Sequence, residues 1–129
     1  MLILIAEDEP VSCTVLKKFL SQYGPCTVVA DGQQAVLEVK AAYERKQGYE
    51  LVCMDLHMPV MNGHEAIREI RQYERANGIL RPTRIFVTTA LDDMASVTEA
   101  LLGKCNAYLM KPIDLNILRQ ELQAVGLTK

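Results

Sequence analysis

The chain has 129 residues, of which 50% are hydrophobic and 23% are charged, and its formal net charge is −2. This length corresponds to one domain, since domains typically contain about 100–150 residues, and the composition is that of a globular rather than a disordered chain. The near-neutral, slightly acidic balance argues against a dedicated nucleic-acid surface, which would be strongly basic.

The first segment, Met1–Ala6, is the longest apolar run, and it is far shorter than the ~20 residues of a membrane-spanning helix. It lacks the basic region of a signal peptide and continues directly into the acidic residues 7–9. The cysteines show no CxxC spacing, so we expect reduced, mostly buried thiols in a cytoplasmic protein. They are Cys13, Cys26, Cys53 and Cys105. We also expect residues 1–129 to form a single, stand-alone domain.

Short apolar runs recur along the chain and are typical of strands buried on both faces of a parallel sheet. The five predicted strands are Leu2–Ala6, Thr27–Ala30, Leu51–Met54, Ile85–Thr88 and Ala107–Leu109.

Amphipathic segments alternate with these runs and predict five helices, over residues 10–23, 32–46, 62–76, 92–102 and 114–125. Asn62 and Asp114 are the expected N-terminal residues of the third and fifth helices, and Asp92 or Asp93 is expected to cap the fourth. The last helix is predicted to bury a stripe that includes Leu115 and Val125. Strands that alternate with helices favour a doubly wound α/β fold, whose ligands bind at the carboxyl ends of the strands.

Chemically useful side chains follow four of the predicted strands: Glu7 and Asp8, then Asp55, Thr89 and Lys111. Three carboxylates at close range repel one another unless a cation joins them, and Mg²⁺ prefers such oxygen ligands. A lysine and a hydroxyl suit a transferred phosphoryl group. Since this set contains no histidine or cysteine, a carboxylate nucleophile that forms an acyl phosphate is the natural remaining option.

Five segments, in order, resemble the receiver domain of bacterial two-component response regulators of the CheY-like kind. They are Ile5–Pro10, Asp31–Ala35, Asp55–Gly63, Thr89–Ala90 and Lys111–Pro112, and the third matches the pattern D-x-x-M-P-x-M-x-G. The resemblance implies a flavodoxin-like fold with five parallel strands in the order 2-1-3-4-5, five helices and no output domain in the chain.

The same resemblance assigns a role to each matched residue. Asp55 would accept a phosphoryl group from the phosphohistidine of a sensor histidine kinase or a histidine phosphotransfer protein. Glu7, Asp8, Asp55 and the backbone carbonyl of His57 would hold Mg²⁺ or Mn²⁺, and Lys111 would bind the phosphoryl oxygens. The chain would then be a phosphoacceptor switch, not an enzyme, which catalyses only its own phosphorylation and slow dephosphorylation.

Switching, by resemblance, involves Thr89 and the aromatic ring of Tyr108, and a cis peptide bond is implied between Lys111 and Pro112. The surface of the fourth helix, fifth strand and fifth helix would then change and control an effector protein. This surface is predicted to include Ser96, Glu99, Lys104, Tyr108, Asn116, Arg119 and Gln123. No direct contact with nucleic acid or membrane is expected.

Two alternative functions remain open at this point. The first is a phosphorelay intermediate that passes its phosphoryl group onward, and the second is a flavodoxin-like cofactor-binding protein. The second requires a phosphate-binding loop after the first strand, where acidic residues 7–9 are electrostatically unfavourable.

Three further features carry weaker expectations. Leu91 is predicted to shield the phosphoryl group from water, whereas His57 either positions water or is a solvated loop residue. Residues 70–84 are interpreted as a solvated helix end and loop, and a partner contact there is the less favoured alternative.

Overall fold

The computed structural model describes the backbone of all 129 residues and every side chain except that of Leu91. Five parallel strands form one sheet in the order β2-β1-β3-β4-β5. The strands are β1 (Ile3–Ala6), β2 (Cys26–Val29), β3 (Leu51–Asp55), β4 (Arg84–Thr89) and β5 (Ala107–Met110). The predicted fold class and strand order are therefore confirmed.

Helices connect all consecutive strands, and a last helix follows β5. They are α1 (Pro10–Leu20), α2 (Gly32–Glu44), α3 (Gly63–Ala76), α4 (Met94–Ala100) and α5 (Leu115–Ala124), with a 3₁₀ turn at Leu91–Asp93 before α4. The helices are shorter than predicted at several ends, because the amphipathic pattern continues into turn residues that no longer form helical hydrogen bonds.

The sheet separates two hydrophobic cores, as expected for a doubly wound fold. One core packs side chains of α2, α3 and α4 against one face, around Val52, Met54 and Val87. The other packs α1 and α5 against the opposite face, around Ile5, Cys53 and Phe86. The prediction of strands buried on both faces holds for β1 and β3, but it is wrong for the edge strand β2, in which Thr27 and Val28 are exposed.

Helix N-termini are capped by side chains that accept backbone N–H groups. Asn62 and Asp114 cap α3 and α5 as predicted. For α4, Asp93 occupies the predicted N-cap position, but its side chain makes no cap hydrogen bond. Glu9 caps α1, and the sequence analysis did not identify it.

Two further burial predictions need correction. Leu115 is 36% exposed, because α5 turns only Leu118 and Leu122 fully into the core. All four cysteines are free as expected, but only Cys53 is buried, so the prediction of mostly buried thiols is wrong.

Much of the segment 70–84 is solvent-exposed, as the sequence predicts, but two of its polar residues, Glu74 and Thr83, are buried. Glu74 is 3% exposed, and its carboxylate accepts hydrogen bonds from Arg71 Nη1 at 2.7 Å, from the Thr83 backbone N–H at 2.9 Å and from the Tyr43 hydroxyl. Arg71 also donates to the backbone carbonyls of Lys104 at 2.8 Å and Thr83 at 2.9 Å. This polar network joins α2 and α3 to the segments that enter β4 and β5.

Among the helices that the structure describes, none is both long and apolar enough to cross a lipid bilayer.

Candidate functional site

Three carboxylates converge at the carboxyl ends of β1 and β3. Ala6 pairs with Met54 across these adjacent strands, so the next residues, Glu7 and Asp55, are neighbours at the sheet edge. Glu7, Asp8 and Asp55 each offer a carboxylate oxygen, and these oxygens lie within 4.8 Å of one another. Glu7 and Asp55 are buried whereas Asp8 is exposed, so the cluster opens to solvent on one side.

Lys111 brings a positive charge to this cluster from the segment after β5. Its Nζ lies 2.8 Å from Glu7 Oε1 and 3.3 Å from Asp55 Oδ2. The first contact is ionic rather than a well-aligned hydrogen bond, since Glu7 Oε1 has no hydrogen-bond partner among the described residues. One ammonium therefore contacts two of the three carboxylates, and the cluster keeps an excess of negative charge.

The pKa values reflect this imbalance. The pKa of Glu7 is raised to about 7. Burial is the largest cause, the adjacent Asp55 acts in the same direction, and the ammonium of Lys111 opposes the shift. Burial alone lowers the pKa of Lys111, but its contacts with Glu7 and the charge of Asp55 outweigh this effect, and its pKa is raised.

The donor set fits a hard divalent cation. Mg²⁺ takes oxygen ligands and is usually held by one or two carboxylates together with water molecules and phosphate oxygens. The buried Glu7 Oε1 makes only an ionic contact with Lys111, and the solvent-facing Asp8 leaves room for water. The carboxylates of Glu7, Asp8 and Asp55 are thus chemically suited to a magnesium ion.

Thr89 ends β4 on the face of the sheet that carries Val87, and its side chain is fully buried. Its Oγ1 forms no hydrogen bond with any described residue, although the backbone carbonyl of Thr89 accepts the N–H of Lys111 at 2.8 Å. A buried hydroxyl without a partner is uncommon in folded proteins and calls for an explanation.

Tyr108 lies in β5 beside Val87 of β4, on the same face as Thr89. The ring is half-buried, and its hydroxyl is 3.5 Å from the backbone carbonyl of Thr98 in α4. Burial, together with the neighbouring Cys105, raises the pKa of Tyr108 to about 12. The peptide bond between Lys111 and Pro112 is cis.

Close backbone packing fixes the loop that follows Asp55. A Cβ atom added to Gly63 would lie 2.6 Å from the carbonyl oxygen of Asp55, and one added to Gly32 would lie 2.1 Å from that of Met61. In the same loop, Val60 has a positive φ of 67°. It is the central residue of a tight turn, in which the Met61 N–H donates a hydrogen bond to the Pro59 carbonyl at 2.7 Å. Such a φ is strained for a β-branched residue.

His57 joins two loops beside the site. Its backbone N–H donates to Asp55 Oδ1 at 3.1 Å, and its exposed ring lies 2.8 Å from Asp93 Oδ2. The Asp93 carboxylate therefore contacts His57 rather than the N-terminus of α4. The side chain of Leu91, predicted to shield the site, lies outside the described residues.

Glu9 is a further residue at this site, and it was not among the predicted site residues. Its carboxylate accepts the N–H groups of Val11 at 3.0 Å and Ser12 at 2.6 Å, and its own N–H donates to Glu7 Oε2 at 3.2 Å. The available signal was its position directly before Pro10, because proline favours the first helical position and the residue before it is then the cap.

Comparison with known families gives the assignment. Residues 3–123 match the model of the response regulator receiver domain. The chain belongs to this family. The family match favours the receiver function over the alternative of a flavodoxin-like cofactor-binding protein.

Relatives and solved structures agree with the assignment. The receiver domain is 31% identical to the osmolarity two-component system protein SSK1 of Saccharomyces cerevisiae, over 96% of this chain and 20% of that protein. It therefore spans about a fifth of the relative's length. The resemblance first drawn to bacterial proteins thus extends to a fungal one.

Two solved structures are similar over nearly the whole receiver domain. The receiver domain of Ssk1 from S. cerevisiae, crystallised with the histidine phosphotransfer protein Ypd1, has a TM-score of 0.80 and 32% identity, and covers 95% of this chain and 86% of that chain. The receiver domain of the sensor histidine kinase PA1611 from Pseudomonas aeruginosa PAO1 has a TM-score of 0.75 and 32% identity, with 97% of both chains covered. The latter contains a magnesium ion coordinated in its active-site cleft.

Proposed function

We propose that this receiver domain accepts a phosphoryl group on Asp55 from a phosphohistidine and thereby switches a surface that controls a partner protein. The observation that carries the proposal is the position of Asp55, a buried carboxylate with Lys111 Nζ at 3.3 Å and two further carboxylates within reach. A lone buried carboxylate is costly to desolvate, so this arrangement favours a dedicated reaction site.

The transfer is a displacement at phosphorus. A carboxylate oxygen of Asp55 forms the new O–P bond while the N–P bond of the phosphohistidine breaks, and the imidazole nitrogen leaves with the bonding electron pair. Lys111 holds a phosphoryl oxygen and offsets its negative charge, and the His57 N–H keeps the Asp55 carboxylate oriented. The chain contributes position and charge, while the donor contributes the activated phosphate.

Glu7, Asp8, Asp55 and the backbone carbonyl of His57 would hold Mg²⁺ or Mn²⁺ at this site. The ion, when bound, supplies positive charge that offsets the phosphoryl oxygens. The observation that supports it is the group of three carboxylates within 4.8 Å, which carries more negative charge than Lys111 neutralises.

Thr89 provides the response to phosphorylation. Its buried hydroxyl has no hydrogen-bond partner among the described residues and can donate to a phosphoryl oxygen on Asp55. Movement of Thr89 toward that group vacates space on the face that it shares with Tyr108, whose ring then turns inward. The surface of α4, β5 and α5 changes as a population shift between two arrangements.

Exposed apolar side chains near the carboxyl ends of the strands support docking of a protein donor. Val11, Val60, Met110 and Ile117 are all exposed, and each belongs to or borders a segment that follows a strand's carboxyl end. We propose a sensor histidine kinase or a histidine phosphotransfer protein as this donor. The related Ssk1 receiver domain was crystallised with such a phosphotransfer protein.

The chain acts in this proposal as a phosphoacceptor switch with an effector protein, not as an enzyme on separate substrates, and it works in the cytoplasm, where its four free cysteines stay reduced. A phosphorelay intermediate would pass its phosphoryl group to a second histidine instead of acting on an effector. Adding unphosphorylated phosphotransfer protein to the phosphorylated chain distinguishes these two functions. Rapid loss of phosphate from the chain to that histidine identifies the relay.

Intact-mass measurement tests the proposal. With a small acyl-phosphate donor and Mg²⁺, we expect the chain to gain the mass of one phosphoryl group and Asp55→Asn to gain none. Asp92→Asn removes an exposed carboxylate from the next loop and serves as the matched control that is phosphorylated normally. Phosphorylation of Asp55→Asn to the wild-type extent would falsify the assignment.

A further inference from the structure

A second surface lies at the other end of the sheet from Asp55, where β4 and β5 begin. Three adjoining recesses of about 310, 410 and 330 Å³ are all bordered by Pro82, in the loop between α3 and β4. The α4–β5 connection, through Lys104, Cys105 and Asn106, forms the opposite wall of the first recess. Neighbouring recesses share lining residues, and we call the surface that they form together the basic groove.

Positive charge dominates the lining of this groove. Five cationic side chains line it: Arg71, Arg75, Arg81, Arg84 and Lys104. The lining carboxylates are Glu74, which pairs with Arg71 at 2.7 Å, and Glu50, which lies 3.8 Å from the amino group of Met1. Within the part of the chain that the structure describes, the other four cations form no ion pair.

The groove has a preorganised floor. The Arg71 guanidinium is held by Glu74, by the carbonyls of Lys104 and Thr83, and by Asn106 Oδ1 at 3.3 Å. Because Glu74 forms its ion pair with Arg71, no carboxylate of the floor is left to neutralise Arg75 or Arg81. Because these hydrogen bonds already fix the backbone that lines the groove, binding of an anionic ligand would cost less conformational entropy.

An apolar side chain stands beside these cations. Leu80 is 95% exposed and lines the same recess as Arg81 and Arg84. An exposed leucine next to unpaired arginines matches the mixed apolar and charged character of protein interfaces. It gives no advantage in binding a sugar–phosphate backbone.

We propose that the basic groove docks an acidic segment of a partner protein, with an apolar side chain of that segment placed on Leu80. The segment must be short, because the chain as a whole carries a net charge of −2 and would repel a long polyanion beyond the groove. This property separates an acidic peptide from a nucleic acid, whose charge is continuous.

The groove and the phosphorylation site lie at opposite ends of β4, whose first residue is Arg84 and whose last is Thr89. Six residues of parallel strand place these ends roughly 17 Å apart. Both surfaces are therefore accessible at once, and we expect docking to be independent of phosphorylation. Among the cations of the groove, only Lys104 also belongs to the predicted α4–β5–α5 surface that controls an effector protein.

Fluorescence anisotropy with the full chain tests the proposal, using a fluorescein-labelled octapeptide of alternating glutamate and leucine. Arg75→Glu and Arg81→Glu should each weaken binding about tenfold, because each replaces an attraction by a like-charge repulsion. Arg68→Glu is the control: Arg68 is exposed on the same helix as Arg75, outside the groove, and the net charge changes equally. Leu80→Ser should weaken binding about threefold through loss of apolar contact.

Three results would overturn the proposal. An equal loss of affinity in Arg68→Glu would mean that only overall charge matters. Tighter binding of single-stranded RNA or inorganic tripolyphosphate than of the peptide, at physiological salt, would assign the groove to a different ligand. Release of the peptide on phosphorylation of Asp55 would show that the groove is not an independent surface.

Discussion

Thr89 combines complete burial with a hydroxyl that has no hydrogen-bond partner among the described residues. A buried polar group in this state costs about 1–3 kcal/mol of folding free energy relative to a satisfied one. The proposed phosphoryl group on Asp55 would supply the missing acceptor. The unsatisfied hydroxyl of Thr89 thus lowers the unfolding free energy of the unphosphorylated chain.

Thr89→Val should raise the free energy of unfolding by about 1 kcal/mol, because valine has the same shape and removes the unsatisfied hydroxyl. The variant should also lose the phosphorylation-dependent NMR shift changes in β5. Urea unfolding and amide spectra with and without acyl phosphate measure the two effects.

Thr88→Val is the matched control for this prediction. Thr88 also has a buried Oγ1 without a partner among the described residues, but successive strand residues point to opposite faces, so it lies away from Tyr108. We expect a similar gain in stability with an unchanged NMR response. A lost response in both variants would contradict the role of Thr89.

The packing of α3 against the loop after β3 depends on the absence of a side chain at Gly63. Gly63→Ala places a Cβ 2.6 Å from the Asp55 carbonyl oxygen and 2.9 Å from Leu56 Cα. The backbone has to move, which should cost about 2 kcal/mol and slow phosphorylation of Asp55. Gly48→Ala is the control, since its Cβ meets only the Tyr43 ring, at 3.0 Å. Equal unfolding midpoints for the two variants would contradict this account.

The Arg71–Glu74 network holds several elements together at the other end of the sheet. Arg71→Met leaves the Glu74 carboxylate buried without its ion pair, so we expect a loss of about 3 kcal/mol of unfolding free energy. Adding Glu74→Gln should recover part of this loss, because no buried charge then remains. Arg68→Met on the exposed face should change stability by less than about 0.5 kcal/mol. Urea denaturation compares the variants, and a neutral effect of Arg71→Met would refute the structural role.

Local signals predicted the elements that local interactions determine. Asn62 and Asp114 were identifiable as caps because a cap bonds residues two or three positions ahead. Asp93 has the same local signal, but its carboxylate contacts His57, which is 36 residues away, and this contact is not visible in local sequence. The strand-end residues of the candidate site could be predicted because every parallel strand delivers its last residue to the same edge.

Burial of charged side chains could not be predicted in the same way. Arg71 and Glu74 have the spacing of an ordinary surface pair on a helix, and only the carbonyls of Thr83 and Lys104, from distant segments, make them a buried network. The exposure of Leu115 has a similar cause, since the packing of α5, not its periodicity, decides which apolar residues are covered.

At the scale of the whole molecule, we expect the carboxylate cluster to couple folding to divalent cations. The carboxylates of Glu7, Asp8 and Asp55 repel one another in the folded chain, and a bound cation reduces this repulsion. Mg²⁺ at about 100 times its Kd should therefore raise the unfolding free energy by about 2.7 kcal/mol. Thermal unfolding with Mg²⁺ or EDTA measures the shift. Asp8→Asn should reduce it and Asp92→Asn should not, and a shift equal in all three proteins would exclude the proposed ligands.

Opposite charges at the two ends of the sheet form a local dipole, although the net charge of the chain is only −2. Its negative pole is the carboxylate cluster, and its positive pole is the basic groove. A dipole of this kind turns an approaching charged partner before contact is made, so orientation is selected during diffusion. Ionic strength screens both poles together, within a Debye length of about 8 Å at 0.15 M. We therefore expect lower ionic strength to speed the encounter of the basic groove with an acidic segment.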